Sequence, residues 1–314
     1  MHGCMETVVD REPMTAEPAP PRHIPVLVDE VLEWLAPAAG QTIVDCTVGA
    51  GGHSLAILPR VLPTGRVIAI DRDEQALELA RARLLEFNPH IEYVHGTFGD
   101  LPDILQRSDV ERVHGLVADL GLSSLHVDQA ERGFSFLREG PLDMRMDRTQ
   151  STTAASLIRE LPEEELADVL YRYGEERLSR RIARRIVEAR HTQPIDTTTQ
   201  LAGIVASAVP RSRSAWRVHP ATRTFQALRI AVNQELTEVE TLLRVLPDVL
   251  RPGGRAVIIS FHSLEDRLVK RAFQQGTNDG VFRLLTKKPI RPSEQEVSRN
   301  PRSRSAKLRA VERI

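Results

Sequence analysis

The sequence predicts an α/β protein: a Rossmann-like, doubly wound, mostly parallel sheet domain that carries an inserted all-α domain. Three observations predict it. Short apolar runs alternate with segments of helical period through the first 120 residues, the signature of βα units. One of these runs, Val44-Asp45, ends in an acid and breaks into Cys46-Thr47-Val48-Gly49-Ala50-Gly51-Gly52-His53, and the next apolar run, Ile68-Ala69-Ile70, also ends in an acid, Asp71. The fourth and fifth strand-like runs are separated by well over a hundred residues, whereas a βαβ crossover needs only a few tens.

Taken in order, residues 1–22 are polar, acidic and punctuated by Pro13, Pro18, Pro20 and Pro21, which reads as a disordered tail. Val26-Leu27-Val28 and Val31, Leu32, Trp34 and Leu35 repeat at helical spacing, so order is expected from about His23. Residues 42–45 form the first strand and 53–62 a helix; 67–71 form the second strand and 74–87 an amphipathic helix. Residues 91–94 make a short third strand, 101–107 a helix and 116–119 the fourth strand. The fifth strand, 256–260, follows a tight turn at Arg251-Pro252-Gly253-Gly254. Residues 219–250 are helical in pattern and serve as the crossover. Residues 127–217 carry good helical patterns, such as 154–161 and 163–173, but no strand-like run, and read as the inserted domain. The sheet domain would then comprise residues 23–126 and 218–314. Hinges at 120–126 and 217–224 would hang the insertion beside the carboxyl ends of the strands, where open α/β sheets bind ligands. That location suits a module for substrate recognition.

Composition bounds the function. The 314 residues leave room for about two domains. A formal net charge of −1 gives no global field for a polyanion, so any nucleic acid must meet local basic patches. Cys4 and Cys46 alone provide neither a disulfide framework nor a cysteine-type zinc site, and no metal ligand set is read from the sequence. No signal peptide is visible and no apolar run reaches the roughly 20 residues of a membrane span. A cytoplasmic protein is the expectation.

The glycine loop and Asp71 suit an adenosine-containing cofactor, because glycines let the backbone approach the ligand and the second acid accepts hydrogen bonds from ribose hydroxyls. Ser54 stands where a dinucleotide fingerprint places its third glycine. Asp45 can face a charged amino-acid tail. Both details favour S-adenosylmethionine. Asp119-Leu120-Gly121-Leu122-Ser123-Ser124 ends the fourth strand beside this crevice. Methyl transfer to an exocyclic base amine needs an acceptor for the amine N–H bonds, because the amine lone pair is delocalised into the ring. Asp119 is the candidate, with Ser123 and Ser124 to orient the substrate, although an Asp and two serines also build an ordinary turn. Arg223, in His219-Pro220-Ala221-Thr222-Arg223, is a candidate phosphate contact, with a plain helix start as the alternative. Phe261 and His262 follow the fifth strand and suit substrate binding or a helix cap. Arg177, Arg180, Arg181, Arg184, Arg185 and Arg190 fall in one helical stretch, and Arg291, Arg299, Arg302, Arg304, Lys307, Arg309 and Arg313 crowd the tail. Each cluster is either a solvated face or a polyanion contact.

With these pieces in hand the chain resembles the bacterial RsmH (MraW) family. The resemblance is carried by His23-Ile24-Pro25-Val26-Leu27, Gly51-Gly52-His53, Ala69-Ile70-Asp71-Arg72-Asp73 and Asp119-Leu120-Gly121. It continues through Arg132-Gly133-Phe134-Ser135-Phe136, Gly140-Pro141-Leu142-Asp143-Met144-Arg145-Met146-Asp147 and Tyr173-Gly174-Glu175-Glu176-Arg177. Residues 219–229, residues 261–267 and Asn300-Pro301-Arg302-Ser303 complete it. The resemblance implies a class I methyltransferase fold and transfer of a methyl group from S-adenosylmethionine to N4 of a cytosine in the decoding region of 16S ribosomal RNA. It implies cofactor contacts at Gly51, Gly52, His53, Asp71, Phe98 and Asp119. Where the family commonly has glutamine in a Ser-Ser-Pro-Gln run, this chain has His126 in Ser123-Ser124-Leu125-His126, so the contact is retained with a titratable group. The implied partner is the small ribosomal subunit or its RNA, with no membrane; the oligomeric state stays open, a homodimer included. A methyltransferase for DNA or a small molecule shares the cofactor half, and a non-catalytic ribosome-assembly factor shares the RNA-binding half.

Overall fold

A computed structural model describes residues 24–210 and 219–314. The expected N-terminal tail and Arg217 of the expected return hinge lie outside the described residues.

Helix α1 (Val28–Leu35) leads into β1 (Thr42–Asp45), α2 (Gly52–Val61), β2 (Arg66–Asp71), α3 (Glu74–Arg83), β3 (Ile91–His95), α4 (Leu101–Arg107) and β4 (Val113–Asp119). A helical stretch follows: α5 (Ser124–Asp128), α6 (Ala154–Glu160), α7 (Glu163–Gly174), α8 (Ser179–Thr192), α9 (Thr198–Ala208) and α10 (Ala221–Asn233). The chain then returns through α11 (Glu235–Val249), β5 (Leu250–Ser260), α12 (Ser263–Asn278), β6 (Phe282–Leu284), α13 (Glu294–Arg299) and β7 (Lys307–Arg313).

The strands lie in the order β3-β2-β1-β4-β5-β7-β6. Strands β1 to β5 are parallel, and β7 runs antiparallel to both of its neighbours. Strand order reverses between β1 and β4, which opens a crevice at their carboxyl ends. Alternate residues of each strand feed opposite cores. Val44, Ile68, Ile70, Leu116, Ala118 and Ile258 pack against Leu101 and Ile104 of α4, Leu242 and Leu246 of α11, and Phe273 of α12. Ile43, Val67, Ala69, Val117, Val257 and Ile259 pack against α1, α2 and α3 through Val31, Leu35, Ile57, Leu58 and Leu77. Burial on both faces is why these strands read as unbroken apolar runs.

A third core belongs to the helices. Ile158, Leu166, Leu170, Ile182, Ile186, Leu201 and Val205 pack with Phe134, Leu142 and Met144, and α10 joins them through Phe225, Leu228 and Val232. The return crossover onto the sheet therefore falls to α11, whose Val239, Leu242 and Leu246 face the sheet core.

Three local features differ from the expectations. The helix after β2 ends at Arg83, and a 3-10 turn covers Leu85–Phe87, because Pro89 keeps Asn88 extended. The Arg251-Pro252-Gly253-Gly254 turn lies inside β5 as a bulge: Leu250 pairs with Val113 and Arg255 with Gly115, and Gly253 sits at φ 77°. The basic tail is partly a strand, β7. Its Leu308, Ala310 and Val311 are buried, and Lys307 and Arg309 both pair with Asp266, at 3.0 and 2.7 Å.

The helical core is fixed to the crevice by one buried cation. Arg132, only 2% exposed, places Nη2 2.9 Å from Asp73 Oδ2 and donates to the carbonyls of Arg145 and Met146, while Nη1 donates to Gln75. Asp73 caps α3 by accepting from Gln75 N and also accepts from His126 Nε2 at 2.8 Å. Asn233, buried at the end of α10, accepts from Met146 N and donates to the Met144 carbonyl. Burial opposes ionisation of Asp73, but the His126 hydrogen bond and the Arg132 charge outweigh it and hold its carboxyl below the ordinary value.

Replacing Arg132 by Ala strands a buried carboxylate and two carbonyls, and should lower the unfolding free energy by about 3–5 kcal/mol in urea titrations. Because the Asp73 pKa is depressed in the fold, its ionised contacts stabilise above about pH 4 and are lost as pH falls through the depressed value. An Asp73→Asn variant, less stable at neutral pH, should therefore lose less additional stability than the parent between about pH 5 and 3.

Candidate active site

The carboxyl ends of β1, β2, β4 and β5 open into a cavity of about 440 Å³. After β1 the chain turns back through Gly49, at φ 52°, and Gly51, at φ 79°, conformations that favour glycine. Gly49 donates its N–H to Asp71 Oδ2 at 2.8 Å, and Asp73 N donates to Asp71 Oδ1 at 2.9 Å. Asp71 is thus aimed by backbone alone, and each carboxylate oxygen keeps a further lone pair for a ligand. Burial raises its pKa.

Asp45 lies beneath the loop, 0% exposed. Ser54 Oγ donates to its Oδ2 at 2.7 Å and Thr47 N to its Oδ1 at 3.3 Å. Ser54, at the position where a dinucleotide fingerprint has glycine, therefore anchors the acid that ends β1. Desolvation raises the Asp45 pKa. Thr47 also accepts from Asp119 N at 2.7 Å, which ties the β1 loop to the end of β4. Asp119 Oδ2 stands 3.4 Å from His53 Nε2. Asp119 Oδ1 and both ring nitrogens of His53 are buried without a hydrogen-bond partner among the described residues. Burial works to lower the His53 pKa, but the Asp119 and Asp45 carboxylates outweigh it and raise it.

Of the residues singled out in the sequence, Gly52, His53, Asp71, Phe98, Asp119, Ser123, His126 and Phe261 line the cavity together. Gly51 lies behind it, where a Cβ would meet Leu84 Cδ1 at 2.9 Å. Ser123 caps α5 by accepting from His126 N, and its own N–H donates to His126 Nδ1. With Nδ1 accepting, His126 Nε2 carries the hydrogen given to Asp73. Ser124 opens α5, and its side chain lies outside the described residues.

Arg223, His262, Arg180 and Arg184 do not line the cavity. Arg223 is exposed and donates to the Glu175 carbonyl at 3.3 Å. His262 caps α12, with Nδ1 accepting from Glu265 N. Arg184 lies 3.5 Å from Glu163, and Arg180 is exposed on α8.

The cavity also gathers residues that the sequence did not single out. Arg72 lines it and donates to the Asn233 carbonyl at 2.7 Å, and outside the lining Glu238 accepts from Gly99 N at 3.2 Å. Glu235 and Glu265 form part of the wall. They and His262 bring ligand-type atoms within 4.8 Å of one another. However, Arg229 takes both oxygens of Glu235, at 2.8 and 2.7 Å, and Phe261 N takes Glu265 Oε2 at 2.9 Å. Both carboxylates are therefore already engaged by donors of the chain itself. Burial opposes ionisation of Glu265, but His262, Arg229 and the Phe261 amide hold its pKa down. These partners are remote in sequence, and no local signal announces them.

Two segments far apart in sequence close the mouth, Ile24, Pro25 and Val26 on one side and Arg299, Asn300, Pro301 and Arg302 on the other. Glu296 accepts from Leu27 N at 2.8 Å and Asn300 donates to the Ile24 carbonyl at 3.0 Å, so the two segments are strapped together. Among the described residues, no helix is long and apolar enough to cross a membrane.

Comparison with known proteins agrees with this geometry. A protein named ribosomal RNA small subunit methyltransferase H from Acidobacterium capsulatum is 50% identical over 299 residues, covering 93% of this chain and 98% of the relative. Proteins of the same name from Sorangium cellulosum and Nostoc punctiforme are 51% and 52% identical, covering 98% and 96% of this chain and 97% of each relative. The MraW methylase family matches residues 21–314. A sheet with an acid-ended glycine loop, a second acid one βα unit later and a third acid at the switch point is thus explained by descent: the chain belongs to the MraW methylase family.

Proposed function

We propose that this protein transfers a methyl group from S-adenosylmethionine to the exocyclic N4 amine of a cytosine in the decoding region of 16S ribosomal RNA. The observation that carries the reading is Asp119: a carboxylate at the switch point of the sheet, with one buried oxygen unpartnered at the cavity floor. In an interior where polar atoms are almost always paired, such an oxygen is kept for a ligand hydrogen.

The cavity fits the cofactor on its own chemistry. Asp71 has lone pairs free for the ribose hydroxyls, Phe98 offers an apolar wall for the adenine, and Gly52 leaves the backbone bare beside Pro25. Asp119, with the buried Asp45 carboxylate behind the loop, supplies negative charge for the amino-acid end. His126, in place of the family's usual glutamine, contributes from the α5 side with its ring held by Asp73 and Ser123. The bound cofactor supplies a methyl group activated by a positively charged sulfur.

The chain's own work is positioning. A cytosine flipped out of its stack enters between the sheet rim and the helices. Asp119 accepts an N4–H bond and localises the amine lone pair for in-line attack. Phe261, whose ring packs against Gly121, offers a face to the base, and Ser123 and Ser124 orient it. Residues 127–217 act as the recognition domain, with Arg223, Arg180 and Arg184 on phosphates and His262 fixing the α12 end. Recognition depends mainly on RNA shape. The site of action is the cytoplasm.

Asp71→Ala should fold normally and bind S-adenosylmethionine about 10–100-fold more weakly, as measured by calorimetry. Incubating unmethylated small subunits with radiolabelled cofactor should give N4-methylcytidine at one position, identified by mass spectrometry. An Asp119→Ala variant should reduce that rate by at least about 10²-fold. Cofactor binding without transfer to subunits, naked ribosomal RNA or DNA would sink the substrate assignment.

A further inference from the structure

Methylation of an amine releases a proton, and the cavity floor holds a route for it. We propose that His53 is the terminal acceptor: Asp119 takes the proton from N4 and passes it to the His53 imidazole. This inference rests on the reading of N4 as the methylated atom.

The geometry makes the case. His53 is only 4% exposed, and its Nε2 stands 3.4 Å from Asp119 Oδ2. A histidine serving as core filler would pair its ring nitrogens, yet among the described residues Nδ1 has no hydrogen-bond partner and Nε2 faces only Asp119 Oδ2, at 3.4 Å. Asp119 likewise has one oxygen toward the ring and a second, Oδ1, unpartnered at the floor. Asp45 stands behind with its carboxylate fixed by Ser54 and Thr47, and its negative charge stabilises an imidazolium. The charged groups acting on the ring are these two carboxylates, from β1 and β4. They raise the proton affinity of His53 above that of a free imidazole despite burial, as an acceptor requires.

The step balances. The N4 lone pair forms the N–C bond while the C–S bond breaks and leaves its electron pair on sulfur. The N4–H bond then breaks, its pair returning to nitrogen, and the proton moves to the Asp119 carboxylate. After rotation of the carboxyl group it reaches Nε2. Asp119 ends ionised, His53 ends as imidazolium, and the sulfonium charge has become the imidazolium charge. His53 must therefore start neutral, so the rate rises with pH through its titration.

The test is single-turnover methyl transfer to small subunits as a function of pH, beside the His53 titration followed by NMR in the S-adenosylhomocysteine complex. The expected result is one acid limb whose midpoint equals the NMR value. His53→Gln, assayed at saturating cofactor, should lose about 10²-fold in rate and lose the limb. A wild-type rate that stays flat while His53 titrates overturns the proposal, and that comparison needs no variant to fold. A His53→Gln enzyme that keeps both rate and limb overturns it as well. Wild-type methylation at an atom other than N4 would instead overturn the functional reading, and the proton route with it.

Discussion

The arrangement depends on the pairing of Arg132 with Asp73. Neither group can be buried alone without several kcal/mol of desolvation cost. Together they join three parts of the chain that meet nowhere else in sequence: the start of α3, the α5 region through His126, and the 145–146 backbone. Asp73 lies two residues beyond Asp71, and its own amide helps to aim the Asp71 carboxylate. A disturbance of the helical core is therefore transmitted to the β2 rim through the Asp73 carboxylate. Asn233 makes a second tie, between the end of α10 and the 144–146 loop, and Arg72 adds a third through the Asn233 carbonyl.

The cavity floor is negatively charged by design of the strand ends. Parallel strands terminate in Asp45, Asp71 and Asp119, and burial disfavours ionisation of Asp45 and Asp71. The fold offsets this with donors fixed to the backbone: Gly49 and Asp73 amides on Asp71, Thr47 and Ser54 on Asp45. Asp119 is left with the fewest partners. A cationic ligand is the natural complement to such a floor, and a sulfonium with an ammonium group supplies two positive charges.

Most of the sheet was legible because both of its faces are buried, so β1, β2 and β4 appear as apolar runs ending in acids. The cavity residues Gly52, His53, Asp71, Asp119 and Ser123 were legible for the same reason: they sit where those runs stop. Phe98 was reached through the family resemblance, since alone it reads as core. The antiparallel β7 was hidden because Lys307, Arg309 and Arg313 alternate with its apolar residues, and the carboxylate that neutralises two of them lies on α12. Arg132 looked like one more arginine in an arginine-rich chain; its burial follows from partners at positions 73, 75, 145 and 146. Local pattern fixes which residues point inward, but only tertiary pairing decides which charges may do so.

The strand β7 is an interior one. β7 occupies the slot between β5 and β6, and the residues just before it seal the cavity against the first described segment, 24–27. Sheet and cavity therefore share one closure: a change that frees β7 from β5 opens a lane in the sheet and loosens one wall of the cavity at the same time.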